Sequence, residues 1–546
     1  MKANRIKLKL TLILLYLLFN LVCFETICQA ATQAKRNWGH YVTNCLDTLI
    51  DHGRDVYGSV QSPLFMSVID TKTLIAPEKP DAYDSLLRLE GRITRRGERG
   101  SNVWHDQALL HTMYQVSNLT GDKRYAREAD RCLDYFLKNC RKKNGLLIWG
   151  SHIHWDCYQD QLGGDKGPHE ILVTLPLWKE MYRINPEAIR KEIDGIWKWH
   201  VYDKTTGAHN RHDSGSAGVD FSFSGSSFIQ AFAFLYSVTG AQEYLDKAKL
   251  IADWHWRHRN TDTNLTSENP SRKDSGAYLY SKTFMTTLTG PHAAALLRSY
   301  EITGEKHFLD IAVAYIKAFD KYGWNEKEQM YYGMINLDGT PTTEDEVPAS
   351  MRSQLAGPGR KPNPGYSVPP VGPVDVWQTT IFPLLFPLNS AQSALYAYEI
   401  TAKDNQAGDP ALLKAAQHWA IVIEKQLPPQ TGWTFKHALE ASMPKVKKTG
   451  GTYAINYGRA ISFYVHLYRA SQERKYLKLA EDIAQEAVAK LYVETVKNPP
   501  QGKPKTYGIF KGHPAKPYYE STNGVGILLY ALLELDKPES NFGGAF

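Results

Sequence analysis

A short phrase recurs along this chain and fixes its architecture more than any other feature. It reads Ser117-Asn118-Leu119-Thr120-Gly121, then Tyr236-Ser237-Val238-Thr239-Gly240, then Tyr300-Glu301-Ile302-Thr303-Gly304. Shortened copies stand at Tyr398-Glu399-Ile400-Thr401 and Tyr468-Arg469-Ala470-Ser471, and Tyr182-Arg183-Ile184-Asn185-Pro186 is a variant. After each phrase an aromatic residue or Leu is followed by Ala at helical spacing, as in Tyr244-Leu245 with Ala248. A glycine that ends one helix while the next begins at once predicts a helical hairpin. Repetition of that hairpin marks an internal repeat.

The helices on the two sides of the turn differ in kind. Residues 225–238 (GSSFIQAFAFLYSV) and 290–300 (GPHAAALLRSY) are apolar nearly all round and are predicted to be buried. Residues 473–492 instead carry one stripe, Tyr476, Leu477, Ala480, Ile483, Ala484, Ala487 and Leu491, with charges opposite. Inner candidates begin near residues 105, 168, 225, 290, 388, 457 and 522, and outer ones near 37, 122, 186, 241, 305, 409 and 473. Two concentric rings, an all-α (α/α)7 toroid, satisfy this alternation; an (α/α)6 ring or an open superhelix are the alternatives. Closure is favoured because the last inner helix, Gly524 to Leu535, is intensely apolar, whereas a solenoid end needs a polar cap. The outer-to-inner connections are long, polar and on one face, where a cleft is expected. The stretch from Pro341 to Pro373 belongs to that face, as a lid or an ordered surface loop.

Residues 1–31 stand apart. Lys2, Arg5, Lys7 and Lys9 precede an apolar run from Leu10 to Phe24, and Gln29-Ala30-Ala31 offers small residues for cleavage. This is the layout of a secretory signal peptide, which makes residues 32–546 a single toroidal domain in the periplasm or outside the cell. No later stretch approaches the ~20 apolar residues of a membrane span, so no stable membrane insertion is expected after cleavage. Removing four bases and one acid takes the formal charge from +7 to about +4, too weak and dispersed for a nucleic-acid partner. Hydrophobic residues make up 43% of the chain, which excludes wholesale disorder. Cys45, Cys132, Cys140 and Cys157 remain, too few for a disulfide scaffold but compatible with one or two bridges.

The chemistry-bearing residues fall in the long connections. Residues 148–157 read IWGSHIHWDC; if extended, His152, His154 and Asp156 share a face. Pro168-His169-Glu170-Ile171 is placed at the opening of an inner helix, and His209-Asn210-Arg211-His212-Asp213 just before the next. Three consecutive cleft connections thus deliver His or Glu, and two His with one carboxylate form a common divalent-metal shell with open positions. Arg92, Arg95, Arg96 and Arg99 precede Trp104-His105-Asp106, and Arg211, Arg272, Lys273, Lys282 and Arg459 are assigned to the same face. Arginine forks match carboxylates, which points to an acidic polysaccharide or oligosaccharide such as a uronic-acid polymer. Trp149, Trp155, Tyr278, Tyr280, Trp324, Trp377 and Trp433 are candidate sugar-stacking platforms. Near the C-terminus, Lys516-Pro517-Tyr518-Tyr519-Glu520 offers either substrate contacts from Tyr518 or Glu520 or the seam that closes the ring.

The signal-like start, the seven hairpins, the His of Trp149-Gly150-Ser151-His152, Glu170 and the Arg211-His212 pair together resemble the family-two polysaccharide lyases, pectate lyases of (α/α)7 fold. The resemblance implies that His152, Glu170 and His212 hold a divalent metal ion, Mn, Zn or Ca, with His154 as substitute for His152. It also implies that Arg211 is the base of a β-elimination. A guanidinium is normally protonated; if Arg211 stays charged it is a carboxylate clamp, and Lys282 or Tyr280 is the base. Arg92, Arg96, His105, Trp155, Arg272 and Tyr518 are the expected substrate contacts. Two other classes share many of these features. A toroidal glycoside hydrolase would draw two carboxylates from Asp106, Asp156, Glu170, Asp220 and Glu520. A non-catalytic glycan-binding protein would need the arginines and aromatics alone.

Overall fold

The computed structural model describes residues 37–78, 97, 99–164, 167–172, 176–271, 282–342, 386–405, 407–426, 449–497 and 503–540. The signal-like segment, Arg92, Arg95, Arg96, Arg272, Lys273, Tyr278, Tyr280, Trp377, Trp433 and nearly all of the Pro341–Pro373 stretch lie outside these residues.

Fourteen α-helices occur among the described residues, and they alternate as the sequence predicts. The outer set is α1 (Trp38–His52), α3 (Arg124–Asn139), α5 (Pro186–Trp199), α7 (Gln242–Arg257), α9 (Lys306–Gly323), α11 (Pro410–Gln426) and α13 (Arg474–Leu491). The inner set is α2 (Gln107–Thr120), α4 (Trp178–Ile184), α6 (Ser222–Thr239), α8 (Ala293–Thr303), α10 (Phe386–Asn405), α12 (Ala454–Ser471) and α14 (Val525–Asp536). From α4 to α14 each inner helix packs on the next, and α14 packs back on α1 and α2. The ring is completed between α2 and α4, where the Gln107 side chain accepts the Leu177 N–H at 2.7 Å. The molecule is an (α/α) toroid of seven hairpins.

Burial separates the two rings. In α6 every side chain from Ser222 to Leu235 is buried. Enclosing each of Phe228, Ile229, Phe232 and Leu235 contributes about 1.5–3 kcal/mol. In α13 six of the seven predicted stripe residues are buried, Tyr476, Ala480, Ile483, Ala484, Ala487 and Leu491, and Leu477 is half-buried. The Thr-Gly turns work through backbone conformation. Gly121, Gly240 and Gly304 have φ of 78°, 68° and 72°, and their N–H groups return to the carbonyls of Ser117, Tyr236 and Tyr300. A Cβ at any of the three would meet nothing within 4 Å, so the left-handed φ, and not lack of space, is what favours glycine.

The closing seam is made by long-range pairs. Strand β1 (Val68–Asp70) pairs antiparallel with a C-terminal strand, Tyr518–Glu520, the eleventh of the short strands. The Gly39 N–H donates to Asp536 Oδ1 at 3.1 Å, and Thr48 Oγ1 donates to the Gly508 carbonyl at 2.8 Å. Among the other strands, β2 (Gly100–Ser101), β3 (Ile153–Asp156) and β4 (Gln161–Gly164) form a three-stranded sheet on the cleft face. The four cysteines Cys45, Cys132, Cys140 and Cys157 are buried free thiols, with no bridge among them.

One boundary differs from expectation. The inner helix expected near residue 168 begins at Trp178 and is two turns long. Glu170 therefore does not open a helix. Its backbone pairs with Gly150, and the Ser151 N–H donates to the Glu170 carbonyl at 2.8 Å. That long-range pairing takes up the groups a helix would have used.

Candidate metal centre

The Trp149-Gly150-Ser151-His152 run is a device for placing one imidazole. Trp149 is fully buried, edge-on to Trp104 and Trp178 at 5.0 and 5.8 Å between ring centres. Gly150, at φ 110°, lets two backbones touch: a Cβ there would lie 2.2 Å from the Glu170 carbonyl oxygen. Asn102 fixes the same glycine, donating to its carbonyl at 2.7 Å and accepting its N–H at 3.2 Å. Ser151 then holds the Glu170 backbone, and His152 turns its Nε2 onto Glu170 Oε2 at 2.8 Å.

Arg211 and His212 arrive from the next connection. The Arg211 N–H donates to the Val219 carbonyl at 2.8 Å, and the His212 N–H to Asn210 Oδ1 at 3.0 Å. Arg211 Nε lies 3.3 Å and His212 Nε2 3.4 Å from Glu170 Oε1. The Arg211 guanidinium also lies over the Phe221 ring, 5.2 Å from its centre. The His152 and His212 rings stand edge to face, 5.3 Å apart. One ligand atom from each of His152, Glu170 and His212 falls within 4.8 Å of the others. Glu170 is buried, whereas the Arg211 and His212 side chains are 25% and 28% exposed, so the group opens to solvent on one side.

Burial pushes the Glu170 carboxyl up, but hydrogen bonds from His152 and His212 and the Arg211 charge outweigh it and hold the group well below the carboxylate range. Glu170 is thus an ionised carboxylate in the interior. Glu170 Oε1, Arg211 Nε and His212 Nε2 are buried and meet one another only at 3.3 and 3.4 Å, long for a hydrogen bond. Long contacts among buried polar atoms compensate their burial weakly, so a group that met them more closely at one point would be favoured. Two imidazole nitrogens and a carboxylate around that point fit a divalent cation with open positions.

The other described residues singled out from the sequence have different surroundings. His154 lies within β3, whereas His152 precedes that strand, and the ligand group is made by His152, Glu170 and His212. His154 is 3% exposed and packed so closely on Gly163 that a Cβ there would lie 2.6 Å from its Nε2. Trp155 is half-buried between Ser101 and Leu162 in the sheet. His105 is half-buried just before α2, and Lys282 is exposed just before β5 (Thr283–Met285). Tyr518 is 7% exposed and paired with Asp70, so it belongs to the seam. Glu520 is buried there too, accepting from Asn523 and 3.4 Å from Lys516 Nζ. Three assignments are corrected. Trp149 is core and no sugar platform. Trp324 stacks flat on His418 at 3.9 Å. Arg459 is buried between inner helices, donating to Gln392 at 2.7 Å.

Sequence reasoning missed a buried network behind the group. Glu192 of α5 accepts from the Leu147 N–H at 2.6 Å and from Trp149 Nε1 at 2.9 Å, and it lies 3.2 Å from His169 Nε2. His169 Nδ1 meets His200 Nε2 at 2.9 Å, and His200 Nδ1 meets the Asn210 carbonyl at 3.0 Å. The signal was His169 beside Glu170, but nothing in the sequence ties it to positions 192 and 200.

One comparison with known proteins falls on the segment that carries this group. Residues 93–223 match the family described as periplasmic pectate lyase. A curated relative, the pectate disaccharide-lyase of Dickeya dadantii (strain 3937), is 26% identical over 172 residues. That alignment covers 30% of this chain and 29% of the relative, so the chain matches less than a third of the relative's length. Among solved structures, an inactive variant of an α-1,6-mannanase from a Salegentibacter species superposes over 91% of this chain and 99% of its own, at 11% identity and a TM-score of 0.43. A cellobiose 2-epimerase from Bacillus thermoamylovorans covers 92% and 98%, at 12% identity and a TM-score of 0.45. His152, Glu170, Arg211 and His212 all fall within residues 93–223, and over that stretch this chain is similar to the periplasmic pectate lyases.

Proposed function

We propose that this protein is a divalent-metal-dependent polysaccharide lyase that cleaves a uronic-acid-containing, pectate-like polymer by β-elimination, in the periplasm or outside the cell. The observation that carries the reading is the convergence of His152, Glu170 and His212 beside Arg211 around one buried carboxylate, in a group that opens to solvent on one side. The pectate-lyase-like match over these residues supports it, as does the signal-like start of the chain. Among the described residues no helix is long and apolar enough to cross a membrane.

The reaction removes the proton at C5 of a uronate, forms the C4–C5 double bond and expels the glycosidic oxygen at C4. A divalent cation held by His152, Glu170 and His212 would neutralise the charge that builds on the substrate carboxylate. Glu170, kept ionised, and the two imidazoles supply the ligands. Arg211, 25% exposed beside Glu170, is the candidate to take the C5 proton, a role that requires its guanidine to be neutral. Its ion pair with Glu170 also suits a guanidinium that clamps the carboxylate, and kinetics separate the two roles. The other carboxylates a hydrolase would draw on are paired or closed off from solvent. Asp156 pairs with Arg99 at 3.1 Å, and Asp106, Asp220 and Glu520 are fully buried.

Incubation with polygalacturonate should yield unsaturated products with the ultraviolet absorbance of a conjugated double bond, lost on chelation and restored by added metal. Reducing ends without that absorbance would assign hydrolysis instead. Arg211→Ala should lower turnover by more than ~10²-fold with metal still bound. A raised KM at unchanged turnover would make Arg211 the clamp.

A further inference from the structure

The geometry points to Asp213 as a positioning residue that holds the His212 loop in register with Glu170, anchored in turn by Lys142; this rests on the metal-centre reading above. Asp213 directly follows His212, yet it faces away from the cleft, with a side chain 7% exposed. Its Oδ1 accepts the backbone N–H of His169 at 2.8 Å, and His169 immediately precedes Glu170. Its Oδ2 accepts from Lys142 Nζ at 2.5 Å and Asn144 Nδ2 at 2.8 Å. One carboxylate therefore joins three segments: the turn after α3, the Glu170 strand and the His212 loop.

The other front anchors of that loop do not reach the strand. The Asn210 N–H donates to the His200 carbonyl and the Arg211 N–H to the Val219 carbonyl, at 2.7 and 2.8 Å. Behind, the His169–His200 pair holds the Asn210 carbonyl, so the loop keeps a second tether when Asp213 is changed. What Asp213 adds is the spacing between Glu170 and His212, which sit on separate segments. Cation affinity falls steeply when ligands move, and outer partners of metal ligands are typically worth about 10–100-fold in affinity or activity.

The test titrates Mn²⁺ alone into full-length wild type, Asp213→Ala, Asp213→Asn and Lys142→Met, with thermal unfolding of each metal-free protein in parallel. Asp213→Ala should weaken Mn²⁺ binding by about 10–100-fold. Asp213→Asn, which keeps the acceptor for His169, and Lys142→Met should weaken it less. Turnover of the Asp213 variants on polygalacturonate should recover at saturating Mn²⁺. Variants that lose thermal stability while binding Mn²⁺ like wild type would show a merely structural carboxylate and overturn the inference. If Asp213→Ala does not fold, Asp213→Asn and Lys142→Met binding like wild type overturns it equally. A wild type that binds no Mn²⁺ overturns the metal-centre reading itself, and this inference with it.

Discussion

Two of the His–Glu groups among the described residues teach opposite lessons. At the cleft face, two imidazoles and one arginine crowd a single buried carboxylate, Glu170. Toward the Thr-Gly face, one imidazole, His466 of α12, sits between two carboxylates. Its Nδ1 lies 2.8 Å from Glu399 of α10 and its Nε2 2.9 Å from Glu534 of α14. Carboxylates accept, so both ring nitrogens donate and His466 is an imidazolium. Burial alone would lower its pKa, but the two glutamates raise it to about 10. The turn-face histidine has used its bonding capacity on the protein; it ties three inner helices and has none left to offer. In the cleft-face group two imidazoles and a carboxylate bring one ligand atom each to a single point that opens to solvent, which is what a binding site requires. Residue type does not distinguish the two groups; the ratio of donors to acceptors does.

Four experiments break or sharpen this contrast. Glu170→Gln should abolish metal binding and lower turnover by more than ~10²-fold while the ring stays folded; retained metal would erase the distinction. His466→Ala should do the reverse, costing about 3–5 kcal/mol in denaturant unfolding, as when one partner of a buried ion group is removed, with metal affinity intact. The same histidine predicts a pH dependence. Its folded value of about 10 lies above the ~6.5 of an unfolded histidine, so its stabilisation is complete below pH 6.5 and is lost as pH rises toward 10. Wild type should thus lose stability over that window, and His466→Gln should flatten the loss. Smallest of all, His154→Gln should leave Mn²⁺ affinity unchanged; a large drop would return His154 to the ligand set.

The sequence was legible where structure is local. Helix starts at 107, 124, 186, 242, 306, 410 and 474 fall within two residues of the periodicity reading, because burial of a whole helix or of one stripe is written in consecutive residues. The Thr-Gly turns were legible for the same reason. His152, Glu170, Arg211 and His212 came from spacing plus family resemblance, and they do converge. What failed was non-local. The helix placed at 168 was displaced because Glu170 pairs with Gly150 across the connection. Trp149 looked like a platform because its packing against Trp178 comes from a later hairpin. His466 meets residues 67 and 68 positions away on either side, a relation no window contains.

The seam between α14 and the first hairpin governs how the ring can form. Helices α1 and α2 gain their last neighbours only when α14 exists, and for α1 the Gly39–Asp536 pair spans a separation of 497 residues. The entropy of closing so long a loop grows only logarithmically, so it is a slow search more than a large penalty. During synthesis the growing chain is an open arc whose two apolar flanks face water, a state prone to association. A truncation that ends before Gly524 would freeze the molecule in that arc. Such a fragment should collect in aggregates although the metal-binding residues are all present in it, because the last helix made is the one that covers the first.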